Sequence, residues 1–518
     1  MWPRFGIKIG NSTLCIASAK VDGNIDVVAN KQGDRVSQAC LLWDGGNEIE
    51  CGLTAQQKIT SRPKQGAANS FQFLVPHEEL TSEKIETATK EITCAYDADN
   101  HQFELLVDKS DVDEPPTLKI SAFDIHVNLL KSEFELARQF LGNDSDQKPS
   151  VVLSIPSYYT GASWPLLAQA AEEAGFHVAQ IITEHTAAVL AYGIGEMNSE
   201  TDDLTLPTES KYVLSIKCGG LFSHFALYEL TNGLYKVLDS RGPFCIGGKQ
   251  YTEALVQFIC EEFHRKYKLD PHESRRSMTK IRTAAANCKH ILTTLQSTQI
   301  YIDSLMDGVD FNMQMSLARF ESIIKPVINN FLQTLNEAID KMFQLTNVKK
   351  IDEIVLLGGT MRIPKLQSAI STRCPEAKLN VSLAADEVVA IGCARQATFL
   401  ADPEGQDLQL TEECVCVDTD AFIWHETNEA NARILLRKGT LLPSVVTVDI
   451  EIDAVKPNEP VDDGVNIFHI KVGDEVSDVP LKEATATAEG VFKIEADVSL
   501  VERENSRVKT PIIKLRCL

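Results

Sequence analysis

No run of 18 or more apolar residues occurs in the chain, so no membrane-spanning helix is expected. No basic-then-apolar leader precedes Phe5, where the first strand pattern begins, so no secretory signal is expected either. No cysteines stand at metal-ligand spacing. The thirteen are scattered, and the one close pair, Cys414 and Cys416, reads as alternation along a strand. Scattered thiols in odd number point to a reducing compartment, the cytosol or nucleus. Positive charge is in the minority: 50 Lys and Arg against 73 Asp and Glu leave a formal net charge of −23. Such a surface repels RNA, DNA and anionic lipid, so neither nucleic acid nor membrane is expected as a direct partner.

What the chain does have is a hairpin that occurs twice. Phe5-Gly6-Ile7-Lys8-Ile9-Gly10-Asn11-Ser12 leads into an apolar strand and a turn at Asp22-Gly23-Asn24. Leu214-Ser215-Ile216-Lys217-Cys218-Gly219-Gly220 leads into another strand and a turn at Thr231-Asn232-Gly233. A buried strand that ends in glycine and folds straight back points backbone N–H groups outward, the shape of a phosphate cradle. Two copies imply a duplicated fold gripping one ligand between its halves. Gly358-Gly359, after the buried strand Ile354–Leu357, and Gly247-Gly248, just before a helix, add two more glycine turns.

At 518 residues the chain exceeds one core, and roughly two to four domains are expected. Short strands fill 5–50, and 77–118 reads as polar and irregular. Helices follow at 121–141, with a Ser121/Asp124 capping box, at 166–174 ending on Gly175, and at 186–192. After a polar loop near 196–210, helices are expected at 251–268, 278–295, 320–345, from Pro364, and at 386–400. The texture changes at Asp402. From Thr411 onward strands and turns alternate without a convincing long helix.

Several stretches carry a close resemblance to the heat-shock 70 kDa protein family. They are Val28-Ala29-Asn30 through Gly33-Asp34-Arg35, Ile181-Ile182-Thr183-Glu184-His185-Thr186-Ala187-Ala188, Ala191-Tyr192-Gly193, Ile302-Asp303-Ser304-Leu305 through Ala318-Arg319-Phe320-Glu321, and Gly358-Gly359-Thr360-Met361-Arg362-Ile363-Pro364. The resemblance covers about 5–400 well and 407–518 loosely. It implies an α/β chain: a duplicated actin/hexokinase-like (ribonuclease H-like) ATPase fold over 1–400, with halves near 1–205 and 206–400. A linker at 401–410 and a C-terminal β-sandwich at 411–518 would follow, with no sequence left for a helical lid.

The resemblance also implies a site for ATP or ADP. Gly10, Asn11 and Ser12 match the first phosphate loop, Gly219 and Gly220 the second, and Gly247 and Gly248 a third contact. Gly358, Gly359, Arg362 and Asp386 match the adenosine side, where the Arg362 guanidinium would stack on adenine. Lys289 and Thr293 match ribose and adenine contacts, while Ala286 and His290 stand where the family has a glutamate and an arginine. Leu221 and Phe222 replace a glycine and a threonine. Lys8 and Lys217 stand where the family places aspartates that order hydrated magnesium, and Gln72 aligns with the lysine that positions attacking water.

An ammonium about 5 Å from Mg²⁺ at an effective dielectric near 20 costs roughly 6–7 kcal/mol. The same ammonium groups neutralise phosphates directly. Magnesium is therefore expected to be not required or absent, no residue is assigned to catalysis or metal binding, and hydrolysis is expected to be weak or absent. Alternatively, both lysines face solvent in a dead cleft. Pro156 and Glu184 remain where the family has a switch proline and a nucleotide-binding glutamate. Trp164 replaces the arginine that relays the nucleotide state, Gln180 replaces an arginine that receives activating J-domains, and the linker Asp407-Leu408-Gln409-Leu410 keeps the aspartate but breaks the usual apolar run.

The reading that results is an atypical cytosolic chaperone or co-chaperone. Its implied partner is a zuotin-type J-domain protein, through which it would reach the ribosome and nascent chains indirectly, as part of a ribosome-associated complex. The competing reading is an active ATP-hydrolysing chaperone cycling on unfolded clients.

Overall fold

The computed structural model describes residues 3–46, 48–90, 92, 94–107, 116–142, 148–159, 161–194, 210–231, 234–346 and 348–400. Beyond these it describes the segments 415–416, 421–425, 432–436, 441–442, 444–451, 466–472, 475–481, 491–502 and 509–517. Most of the 196–210 loop, the Asn232-Gly233 turn, the linker 401–410, Cys414, the Arg437-Lys438-Gly439-Thr440 stretch and Pro443 lie outside the described residues. The chain divides into two units, Met1–Leu408 and Gln409–Leu518.

The larger unit is built on two sheets of the same topology. In the first, three antiparallel neighbours, Ile25–Val27, Thr13–Ala19 and Arg4–Ile9, are followed by Ser150–Ile155 and His177–Thr183, both parallel to Arg4–Ile9. In the second, Leu234–Phe244, Ser223–Thr231 and Lys211–Cys218 form the antiparallel part, and Glu353–Leu357 and Lys378–Asn380 the parallel part. The repeat seen in the hairpins thus extends to five strands in the same spatial order. Ser37–Gln38 also pairs with Thr13–Ala19.

The Arg4–Ile9 strand is buried at every position, as expected where a strand with parallel pairing is covered on both faces. One cover is the helix Val388–Phe399. It crosses Gly6, where a Cβ would collide with the Ala394 and Ala390 backbone. The same helix meets the helix Glu184–Ala191 at Gly392, whose Cβ would collide with the Ala187 carbonyl. Bare backbone at both points lets helix, strand and second helix approach closely. The buried apolar residues of each half form their own cluster. A third cluster, including Val152, Ala187, Val213, Val355 and Val389, joins the two sheets.

The long helices lie within a few residues of their expected spans, at Ala122–Leu141, Ser163–Ala174, Gly248–Tyr267, Arg275–Ile291 and Leu317–Thr346. The Ser121 hydroxyl caps Asp124 N–H at 3.1 Å, and Gly175 (φ 115°) ends its helix in the left-handed region.

One expectation is corrected. The 77–118 stretch contains the helix Ser82–Thr89 and the strands Ala95–Asp97 and Gln102–Leu106, and the strand Thr117–Ser121 completes a three-stranded sheet with them. The sheet is held by Phe103 against Phe73 and Tyr96. Its strands are three to five residues long, too short for alternation to stand out in a polar stretch.

The smaller unit's described elements are antiparallel strands. Arg433–Leu436, Ala421–His425, Asn466–Val472 and Glu475–Leu481 form one sheet, and Ser444–Glu451, Val491–Glu502 and Lys509–Cys517 another. Val415–Cys416 pairs with Leu441–Leu442. Among the described residues no helix is long and apolar enough to cross a membrane.

Candidate functional site

Each half closes its first hairpin in the same way. Gly10 N–H donates to the Thr13 carbonyl at 3.0 Å, and Gly219 N–H donates to the Phe222 carbonyl at 2.9 Å. Lys8 pairs in register with Cys15, and Lys217 with His224. Both lysines therefore arrive at equivalent points of one duplicated frame. They line a cavity of about 60 Å³ together with Gly10, Asn11, Ser12, Glu184, Gly219, Gly220, Gly358 and Gly359.

The two loops nearly touch, since a Cβ on Gly220 would collide with the Ser12 hydroxyl. Gly358, at φ 95°, lies against the Cys218 carbonyl, which leaves no room for a side chain. Gly247 lines neither cleft cavity. It caps the helix that begins at Gly248, its N–H donating to Gln250 Oε1 at 2.8 Å, and its own Cβ would meet the Leu221 backbone. Gly248 and Lys249 N–H groups donate to the Gly219 and Gly220 carbonyls, both at 2.8 Å, so this third turn buttresses the second loop.

Neither lysine faces open solvent. Lys8 is 9% exposed, and its ammonium donates to the Thr13 hydroxyl at 2.6 Å and carbonyl at 3.1 Å. Burial lowers its pKa; attraction by Glu184 opposes this without cancelling it, and repulsion by Lys217 adds to it. The Lys217 side chain is 12% exposed and forms an ion pair with Glu184, which is 1% exposed. Burial pushes Lys217 down as well, but Glu184 and Tyr158 outweigh it, and its pKa ends above the ordinary value. Among the described residues one cation is thus paired directly with a carboxylate, while the other hydrogen-bonds neutral oxygens and feels Glu184 from a distance.

A hydrated magnesium ion needs oxygen donors, carboxylates above all. Here two ammonium groups head the cradle, and Glu184 is already engaged. The residues do not fit the ion that the family resemblance would place here.

A larger cavity, of about 920 Å³, adjoins the first, with Ser12, Gly220 and Gly359 lining both. Gly248, Ala286, Lys289, His290 and Thr293 complete the side where the adenosine was expected. Lys289 donates to the Gly248 carbonyl at 2.9 Å and to the Thr252 hydroxyl at 2.8 Å, and burial lowers its pKa to about 8. Arg362 and Asp386 line neither cavity. They pair with each other at 2.9 Å, and the second Asp386 oxygen is buried without a partner. Gln72 also stays out of the small cavity. Its backbone N–H donates to Asn11 Oδ1 at 3.1 Å, and its side chain donates to the Asn69 and Ala88 carbonyls. Trp164 packs against the first half's core, and Gln180 accepts from Gln396 at 2.8 Å.

The structure adds groups that sequence reasoning missed. Tyr158 walls the small cavity and presents its ring to Lys217, 5.6 Å from the ammonium. Behind it runs a buried chain of hydrogen bonds. His185 bonds Ser215 at 2.8 Å and His224 at 2.9 Å, and His224 reaches Ser240 at 3.3 Å. Burial pushes His224 down to about 4 and His185 well below its ordinary value, so both rings are neutral at pH 7. The only trace of this in the sequence is His224 standing opposite Lys217 across the second hairpin.

The model of the family described as "Hsp70 protein" matches residues 4–435. The chain is 33% identical over 451 residues to heat shock 70 kDa protein 14-B of Xenopus laevis. It is 31% identical over 450 residues to heat shock 70 kDa protein 14 of Bos taurus, and 31% over 441 residues to that of Homo sapiens. Each comparison covers 85% of this chain and 82% of the relative. With the duplicated five-stranded frame and its paired glycine loops, these matches show that the chain belongs to the Hsp70 family of chaperones.

Proposed function

We propose that this Hsp70-family protein binds ATP or ADP without magnesium, hydrolyses it little or not at all, and acts as a cytosolic co-chaperone. The observation that carries this reading is the pair of buried ammonium groups, Lys8 and Lys217, at equivalent points of the two cradles. Lys8, held only by Thr13 oxygens, gains most from an incoming phosphate, because an ammonium–phosphate bond replaces neutral partners with a charge-assisted one. The glycine loops leave backbone without side chains on either side of the small cavity, and the larger cavity has room for the nucleoside.

Coupling to the second domain is reduced in this reading. A half-buried tryptophan packed against the core and a glutamine paired with another glutamine stand where the family uses arginines. The protein then works through a partner, a zuotin-type J-domain protein, and meets nascent chains at the ribosome through it. The net charge of −23 supports an indirect approach to ribosomal RNA.

Calorimetric titration with ATP, with and without a chelator, tests the site, and single-turnover hydrolysis tests the chemistry. The expected outcome is unchanged affinity in the chelator and no magnesium-dependent turnover. A clear magnesium-dependent rate would favour a cycling ATPase chaperone and end this reading. Co-purification of a J-domain protein and ribosomes from cytosolic extract tests the partnership.

A further inference from the structure

The larger cleft cavity, of about 920 Å³, is cationic in a chain whose net charge is −23. The charged residues that line it are Lys90, Lys249, Arg275, Arg282 and Lys289, against Glu253. Arg282 already engages Glu253 at 2.9 Å. Lys90 pairs with Glu86 at 3.1 Å, both largely exposed, and Arg275 is exposed at the start of its helix. His290 also lines the cavity, and burial lowers its pKa, so its ring is neutral at pH 7. Such a wall draws in an anion, and a phosphate above all.

Lys289 differs from the other cations. It is half-buried, and both of its hydrogen bonds go to neutral oxygens, the Gly248 carbonyl at 2.9 Å and the Thr252 hydroxyl at 2.8 Å. The Thr252 hydroxyl spends its own proton on the Gly248 carbonyl at 3.0 Å, so towards Lys289 it accepts. An ammonium brings three donors and no lone pair. The two acceptors here match the two N–H groups of a free amine, whose lone pair is left over. Burial lowers the Lys289 pKa to about 8. About a tenth of it is therefore free amine at pH 7, against roughly one part in 2,000 for an ordinary lysine. A Cβ on Gly248 would sit 3.1 Å from the Lys289 nitrogen and 3.6 Å from the Gly219 carbonyl, which places the amine beside the second glycine loop.

We propose that Lys289 forms an imine with an aldehyde that carries a phosphate monoester, the cationic wall holding the phosphate. This rests on the reading of the cleft as a phosphate-binding site. The neutral amine adds to the aldehyde carbon, C=N replaces C=O, and the carbonyl oxygen leaves as water with the two amine protons. Nothing is oxidised or reduced. A phosphorylated sugar aldehyde and pyridoxal phosphate share this chemistry. Lys8 lines only the small cavity, of about 60 Å³, which has no room for either.

In the test, the full-length protein is incubated at pH 7 with glyceraldehyde 3-phosphate or pyridoxal phosphate, reduced with borohydride and mapped by peptide mass spectrometry. Label at Lys289 is expected to exceed that at any exposed lysine at least about tenfold, from its larger fraction of free amine. Glyceraldehyde or pyridoxal without the phosphate is expected to label it at least about tenfold less. Arg275→Gln is expected to narrow that gap, and ATP to protect Lys289. Whichever phosphorylated aldehyde labels more strongly assigns the source. Lys289→Arg, which keeps the charge, is expected to abolish the imine absorbance with pyridoxal phosphate. Label at Lys289 in a protein that shows no ATP binding by calorimetry would overturn the nucleotide reading alone. ATP binding without enrichment of label at Lys289, or equal labelling by the unphosphorylated aldehydes, would overturn the imine alone.

Discussion

Lys8 is a residue whose contributions to stability and to binding have opposite signs. Its ammonium is buried against Thr13 oxygens alone, and its lowered pKa means that the folded state disfavours its charge. Lys8→Met is therefore expected to raise stability by about 1 kcal/mol or more. The same substitution is expected to weaken ATP binding by roughly tenfold or more, because a charge-assisted phosphate contact is lost. Urea unfolding and calorimetry read the two effects on one variant, and a loss of both stability and affinity would contradict the assignment. Lys217 differs in kind: it has Glu184, and its contribution to stability persists until the pH rises through its raised pKa. The repeat made the two lysines equivalent on paper, yet nothing in sequence spacing announced that one carboxylate would pair directly with only one of them. Glu184 reaches Lys217 from another strand–helix junction, and such meetings leave no local trace.

At the scale of elements, the closest approach in the larger unit is made by backbone. Gly392→Ala drives a Cβ into the Ala187 carbonyl, and two helices cannot part there without moving the Arg4–Ile9 strand at Gly6. The expected cost is about 3 kcal/mol or more, at the upper end for overpacking. Because Glu184 begins one of these helices, a fall in ATP affinity should accompany the lower urea midpoint. Elements of this size were largely legible. The paired hairpins repeat glycine, lysine and turn at matching offsets, and the long helices carry caps such as Ser121 and stops such as Gly175. The helix Ser82–Thr89 and its small neighbouring sheet were not, because they are short, polar on most faces and held by aromatic contacts between strands. The clefts were legible as glycine loops but not as cavities. Tyr158 and the His185–His224 pair became part of the site only through the fold.

For the whole molecule, acid sensitivity follows from which buried groups exchange protons on unfolding. Burial holds His126 and His224 near pKa 4 and His185 well below its ordinary value. Burial lowers His290 too, so between about pH 4 and 6.5 the unfolded chain binds up to four more histidine protons than the described residues of the folded one do, and stability falls as pH falls. Glu133, raised to about 7, acts in the opposite direction over its own window. The net of about two to three protons predicts a loss of roughly 3–4 kcal/mol per pH unit in mid-window. Urea midpoints of the larger unit measured from pH 7 to 5 check the slope, and His224→Gln should flatten it by about one proton. A rise in stability on acidification would show that Glu133 outweighs the histidines.

The two cradles are copies in backbone and in their lysines, but not in how those lysines are neutralised. An ion pair on one side and a lone ammonium on the other give the cleft a polarity along the line that joins its halves. An anion arriving there meets a field with a direction, pointing it toward the first hairpin. The duplication built a symmetric vessel, and the single carboxylate of Glu184 gave that vessel a preferred end.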